Sequence, residues 1–338
     1  LSGLKRTIYT IAAELGLSPG TISKVINKTG NVSDETRERV LTYIKEVGYV
    51  PVTSARMLKS KRSYTIGVVF SEDLHIGLEH PFFSSILQHF KNYVENEGYE
   101  LSFIVSKLGN NRMSYYEWCM NKKVDGVYIV VGDYGDEGLY ELAKKNIPCV
   151  STDILIPGIH SIISDNVMGI RVSLDHLYEH NQLKSVGLIA GPQQSKAFFE
   201  RYEAFKMYHE EKALSVQKEH VVFAESFGFT SGYQAAMKLM EHPLPQGLLV
   251  GSDDIALGVL KAFKDKGIRI PEDIQIIGYD DIAFARHFTP SLTTVKQDRE
   301  LIATTAAKKL LQLINNPNIK VEEVIRVPVE LVLRETTQ

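Results

Sequence analysis

From Tyr64 onward the chain alternates apolar runs with amphipathic ones. YTIGVVF, YELSFIV, VDGVYIVV and PCVST are separated by stretches such as PFFSSILQHFKNYVENEG. A short run that is apolar at nearly every position reads as a strand buried on both faces. Serial strand–helix units of this kind predict parallel sheets covered by helices. A second series starts at SIIS and continues through SVGLIAG, HVVF, GLLVG and IQIIGYD. Two series predict two lobes, with ligands outside the carboxyl ends of the strands, so the cleft between lobes is the expected site. The 338 residues are in keeping with more than one core. The sequence shows no dinucleotide-binding glycine fingerprint, P-loop, serine elbow or histidine pair at metal spacing. The expectation is therefore a binding protein, not an enzyme, with no cofactor and no metal.

Before Tyr64 the texture is helical. Ile8, Ile11, Ala12 and Leu15 recur at the spacing of one helix face, with Thr7 as N-cap and Gly16 as terminator. Ser18 caps a second helix whose first position is Pro19, where a missing N–H costs nothing. Ile22, Val25 and Ile26 face inward there. Thr21, Ser23, Lys24, Asn27 and Lys28 are left outside. A third helix starts after Ser33, buries Val40, Ile44 and Val47, and ends at Gly48. Three short helices with a glycine turn between the first two predict a helix-turn-helix. Charge points the same way. Residues 1–62 hold 11 Lys/Arg against 5 Asp/Glu, a net of +6, while the rest nets -9 (27 against 36). A basic head on an acidic body suggests a polyanion partner for the head alone. Cys119 and Cys149 lack metal-ligand spacing and read as buried thiols of a reducing compartment. LSGLKRTIYT carries no apolar signal segment, and no run approaches a membrane span, so a cytoplasmic location is expected.

TIAAELGLSPGTISKVIN, followed by VSDETRERVLTYIKEVGYVP, closely resembles the head of the lactose-repressor (LacI/GalR) family of transcription regulators, and the resemblance runs through nearly the whole chain. It implies an all-α helix-turn-helix head on an α/β body, the body a two-lobed effector domain like the periplasmic sugar-binding proteins, with parallel sheets. Residues 1–50 are then the DNA-binding domain, 51–62 a hinge helix or linker and 63–338 the effector domain. The first lobe is expected over about 63–163 and 296–322, the second over about 164–292 and 323–338. The implied function is a dimeric, ligand-responsive regulator, a repressor in the first instance, on a palindromic operator. By matching positions, Pro19, Gly20 and Lys24 would face bases, with Thr21, Ser23, Asn27, Ser33 and Thr36 at phosphates. In the hinge, PVTSARMLKSKR, Leu58 would wedge into a minor-groove step beside Ala55. Pro19 and Gly20 cannot make bidentate hydrogen bonds, so polar base reading falls to Lys24 and to DNA shape.

For the effector site the resemblance implies His80, Phe82, Phe83, Asp153, Arg201, Phe227, Ser252, Asp253, Asp280 and Gln297, a set suited to a polyol with a capped ring face. Each also has an ordinary reading. One of Phe82 and Phe83 would be core, Ser252 and Asp253 a helix cap, Asp280 a turn residue and Arg201 half of a surface ion pair. His80 replaces a frequent Asn, Ile154 a frequent Arg and Ser252 a frequent Asn, so a common sugar is not implied and a derivative is open. VPVELVLRETTQ resembles the usual last strand, with no leucine heptad after it, so a dimer is expected. The rival readings are a solute-binding or transport protein, which would need an export signal and no basic head, and a cleft enzyme using Asp153, Asp280 or His80.

Overall fold

The computed structural model describes residues 6–26, 29–49, 62–70, 78–132, 135–145, 147–152, 154–316 and 324–338. Asn27, Ala55, Leu58 and Asp153 lie outside the described residues. The chain divides into two compact units, Leu1–Ser63 and Tyr64–Gln338.

The first unit holds α1 (Ile8–Leu15), α2 (Pro19–Ile26) and α3 (Asp34–Glu46). Thr7 closes a capping box over α1 with Thr10, satisfying two backbone donors that the first turn would otherwise leave open. Gly16 ends α1 in the left-handed conformation, φ 63°. A Cβ there would meet nothing within 4 Å, so backbone conformation and not crowding selects glycine. Ser18 Oγ accepts from Thr21 N at 3.0 Å and starts α2. Ile11, Ala12, Ile22, Val25, Val40 and Tyr49 form the core. Arg39 donates to the Leu15 carbonyl and Tyr43 Oη to Glu14 Oε2 (2.7 Å), which ties α3 across the end of α1.

The second unit contains two six-stranded sheets. Its elements run β1 (Thr65–Phe70), α4 (Pro81–Asn96), β2 (Glu100–Ile104), a hairpin of β3 (Lys107–Leu108) and β4 (Asn111–Arg112), α5 (Tyr115–Lys122), β5 (Gly126–Val131), α6 (Glu137–Lys144), β6 (Cys149–Thr152) and β7 (His160–Ser164). Then follow α7 (Asn166–Asp175), β8 (Val186–Ala190), α8 (Lys196–Glu211), β9 (Val221–Phe223), α9 (Phe229–Leu239), β10 (Gly247–Val250), α10 (Asp253–Asp265), β11 (Gln275–Asp280), β12 (Thr293–Gln297), α11 (Arg299–Asn315), β13 (Val324–Val327) and β14 (Val329–Val332).

The first sheet has the order β13-β7-β6-β5-β1-β2 and is parallel throughout. The second has the order β14-β12-β11-β10-β8-β9, parallel except for β14. In each lobe the strand order reverses beside the first strand of its series, at β1/β5 and at β8/β10. Such a reversal splays the following loops apart and opens a crevice at the carboxyl ends. α4 and α11 cover the first sheet, and Phe90 stacks on Tyr128 at 3.8 Å. α9 and α10 pack together on the second.

Three expectations are corrected. SIIS does not open the second series: as β7 it pairs with β6 and completes the first lobe. The last lobe boundary also moves, because β13 pairs parallel with β7 and residues 324–327 therefore belong to the first lobe. β12 through Gln297 lies wholly in the second sheet, so the return to the first lobe begins at Arg299 and not at 296. The chain thus crosses between lobes at 164–166, 297–299 and 327–329. Asp165 N donates to the Val327 carbonyl at 2.9 Å, joining the first crossing to the third.

Candidate nucleic-acid face and candidate ligand cleft

On the head, the inward faces of α1, α2 and α3 are consumed by the core, which leaves one side of α2 free. Pro19, Gly20 and Lys24 are exposed, and Thr21 and Ser23 are half-buried. The Lys24 stem passes over Gly30, where a Cβ would come within 3.2 Å of it, so the left-handed turn at Gly30 leaves room for the lysine. Thr21 Oγ1 is bonded to Ser18 Oγ (2.9 Å), and Ser33 Oγ donates to Thr36 Oγ1 (2.8 Å). These hydroxyls sit at the N-termini of α2 and α3, where backbone N–H groups and the helix dipole favour a phosphate.

In the body, the carboxyl ends of both sheets border one narrow cavity of about 20 Å³, room for about one water. Phe82, Thr152, Ser164, Asn166, Lys196, Glu200, Arg201 and Gln297 are among its walls. The first three come from the first lobe and the others from the second. Arg201 is 5% exposed. Its Nε donates to Asn166 Oδ1 (2.9 Å), its Nη1 to the Gly251 carbonyl (2.6 Å), and its guanidinium lies 3.6 Å from the centre of the Tyr279 ring. Stacking and two hydrogen bonds fix the fork before any ligand arrives, which lowers the ordering cost of binding. Asn166 spends its amide on Glu200 (3.0 Å), and Glu200 reaches Arg326 of β13 at 3.6 Å, an ion pair between lobes.

Of the residues expected at the site, Phe82, Arg201 and Gln297 line this cavity. Asp280 stands one bond behind it, accepting from Gln297 Nε2 at 2.6 Å. Burial pushes its carboxyl up to about 6, with Arg201 and Gln297 opposing. Its φ of 119° is a conformation L-residues rarely adopt. His80 and Phe227 meet edge-on at 6.1 Å on the seam, and Phe227 packs against the hydrophobic cores of both lobes. Burial lowers the His80 imidazole to about 4, so it is neutral at pH 7. Phe82 and Phe83 are both buried, Phe83 behind His80 at 4.9 Å.

Ser252 and Asp253 are placed differently. Ser252 caps α10 through Ile255 N (3.4 Å). Asp253 is fully buried, bonded to Thr294 Oγ1 (2.5 Å) and Ile282 N (2.9 Å), and burial together with Asp280 raises its carboxyl well above the usual range. It braces the ends of β11 and β12 and does not line the cavity. Its neighbour Asp281 is taken up by Arg334 (2.6 Å).

Five polar cavity residues were not expected: Thr152, Ser164, Asn166, Lys196 and Glu200. Lys196 and Glu200 fall at i and i+4 of one helix and share a face, while Arg201 lies about 100° round from Glu200, so helix spacing alone did not lead from Arg201 to them. Among the described residues no cluster of His, Cys, Asp and Glu could hold a metal, and no helix is long and apolar enough to cross a membrane. Cys119 and Cys149 are buried free thiols, and burial raises both.

A helix-turn-helix head joined to a two-lobed, periplasmic-binding-protein-like body defines a class of bacterial regulators in which one chain reads DNA and senses a small molecule. Comparison with known proteins agrees. Residues 7–52 match the model for bacterial regulatory proteins of the lacI family, and residues 174–337 the periplasmic binding protein-like domain. The HTH-type transcriptional repressor PurR of Haemophilus influenzae is 31% identical over 338 residues, with 98% of each chain covered. Among solved structures, the lac repressor dimer bound to operator and the anti-inducer ONPF matches with a TM-score of 0.84 at 28% identity, covering 99% of both chains. The transcriptional regulator CelR in complex with cellobiose matches at 0.72 and 26%, covering 98% and 99%. The chain belongs to the lacI family of bacterial regulatory proteins. Its relatives are transcriptional repressors and regulators, not enzymes.

Proposed function

We propose that this chain is a cytoplasmic homodimeric repressor that binds a palindromic operator and is switched by a sugar or sugar derivative in the inter-lobe cleft. The observation that carries the reading is the pairing, in one chain, of a basic head exposing Lys24 with a cavity whose walls come from both lobes around a pre-set Arg201. A ligand touching both walls favours one lobe arrangement over others, and an effector acts by that difference alone. Phe82, Arg201 and Gln297 contact the ligand, Asp280 holds Gln297, and His80 with Phe227 sets the seam. Asp153, between the cavity residue Thr152 and buried Ile154, is assigned to the ligand by the family resemblance. In the head, Pro19, Gly20 and Lys24 meet bases, and Thr21, Ser23, Asn27, Ser33 and Thr36 meet phosphates. In the hinge, Ala55 and Leu58 meet the minor groove.

Dimerisation is supported by apolar surface on the second lobe. Phe284 is 61% exposed, and a groove lined in part by Leu260, Ile268, Ile270 and Phe288 lies on the same lobe. The test is selection of bound genomic fragments followed by titration at several salt concentrations. An inverted repeat, two chains per site and a log–log salt slope near -0.9 per phosphate neutralised are expected. One chain per site, or a flat salt response, counts against the reading.

A further inference from the structure

The cleft's polar groups are unequally satisfied. On the α7 side the partners are closed: Asn166, Glu200 and Arg201 bond to one another or to backbone. The other side is open. Ser164, at the end of β7, is 5% exposed, and its Oγ is buried with no hydrogen-bond partner among the described residues. A buried hydroxyl left unpaired costs about 1–3 kcal/mol, so a group that pairs it on binding recovers that cost. Across from it, on the second lobe's wall, α8 begins. Its N-cap Ser195 makes no side-chain capping bond, and the first two residues of the 16-residue helix, Lys196 and Ala197, line the cavity. The positive end of a helix, the Lys196 side chain and a spare hydroxyl donor therefore border one space, with the Lys196 ammonium resting 5.2 Å from the centre of the exposed Phe199 ring, which it must leave to meet a ligand. The only carboxylate among the described cavity residues is Glu200, and Arg326 and Asn166 already neutralise and solvate it.

We propose that the cleft takes an anionic polyol, a sugar bearing a carboxylate or phosphate, with the anion held by Lys196, the first turn of α8 and Ser164 Oγ, and the hydroxyls by Arg201 and Gln297. The proposal rests on the cleft being the effector site. A neutral hexose leaves the ammonium and the helix end without a counter-charge in a half-buried wall. An anion satisfies both and pairs the serine as well.

The test uses the full chain at fixed ionic strength. Glucose and galactose are each compared with the corresponding uronate and 6-phosphate by thermal shift and calorimetric titration, with hypoxanthine as a planar neutral control. At least one anionic member should bind roughly ten- to a hundredfold more tightly than its neutral parent. The uronate and phosphate arms tell which anion it is. Lys196→Gln should remove most of that ratio by weakening the anionic member far more than the neutral parent, and Ser164→Ala should reduce the ratio severalfold.

The proposal is overturned by equal binding of parent and anion, by a ratio that survives Lys196→Gln, by tighter binding of hypoxanthine, or by an absence of binding across the anionic arms. Operator titration with each binder separates the two readings. A neutral hexose that changes operator affinity keeps the effector cleft and removes the anion. A Lys196-dependent anion that leaves operator affinity unchanged keeps the anion and removes the regulatory role.

Discussion

Asp280→Asn tests whether a buried carboxyl behind the cavity is held there at a cost. In the folded chain its pKa is raised from 3.8 to about 6, first by burial. A raised folded pKa means that the native state binds the proton more tightly than the unfolded chain does. The associated stability is fully present below about 3.8 and is lost as pH rises through about 6. Two-state linkage with these values gives a loss of about 1.5 kcal/mol between pH 5 and pH 8. Asparagine keeps an oxygen to accept the 2.6 Å bond from Gln297 and cannot ionise. Urea unfolding followed by circular dichroism at pH 5 and pH 8 should therefore show wild type losing about 1.5 kcal/mol more than the variant. Asp253 is raised first by its own burial and then by Asp280, so in the variant its carboxyl is still raised but less, and the difference between the proteins contains that smaller change as well. The reasoning is refuted if the two proteins lose stability in parallel.

Arg201→Ala removes bonds to Asn166 and Gly251 and the stacking on Tyr279, so it should lower stability by about 3 kcal/mol as well as abolish ligand response. Arg201→Lys restores the charge without the fork, and a lysine variant that responds at the wild-type ligand concentration would remove the arginine's role. Lys24→Ala should relax preference at one base pair per half-site by about 1 kcal/mol in a binding-site selection. A uniform loss on all sequences, with a salt slope smaller by about one, would make Lys24 a phosphate contact instead. Leu58→Ala should weaken operator binding by about 2 kcal/mol and spare random DNA. Equal losses on both, measured by anisotropy, would exclude a wedge.

The head was legible almost residue by residue, because local periodicity and capping determine it. Thr7, Gly16, Ser18 and Ser33 do what their chemistry suggests, and only Tyr49 joins the core unannounced. The lobes were legible as a texture but not at their seams. That β7 pairs with β6 and β13 depends on contacts far apart in sequence, and VPVELVLRETTQ, expected as the last strand, gave no sign that the residues before Pro328 pair in the other sheet. At the cleft, Arg201 was legible only through the family resemblance, since by itself it read equally as half of a surface ion pair. Tyr279, which supports it, sits in a run apolar at nearly every position and gives no sign of which way its ring faces. Asp253 looked like a ligand contact because a carboxylate at a helix start is ambiguous, and only the bonds to Thr294 and Ile282 separate brace from contact.

The three strand crossings have a consequence for anyone re-engineering this sensor. Ser164 ends the first crossing strand and Gln297 the second, while Arg299 just beyond it donates to the carbonyls of Asp280 and Asp281 (3.4 and 3.1 Å). The residues that would recognise the ligand are thus the same ones about which the lobes must pivot. Swapping ligand preference at Gln297 or Ser164 will shift the resting set-point of the switch along with its taste, and mutants selected for new ligands there should leak or lock. Lys196 sits on α8, outside the crossing strands themselves, and is the position where preference can be rewritten with the least disturbance of the set-point.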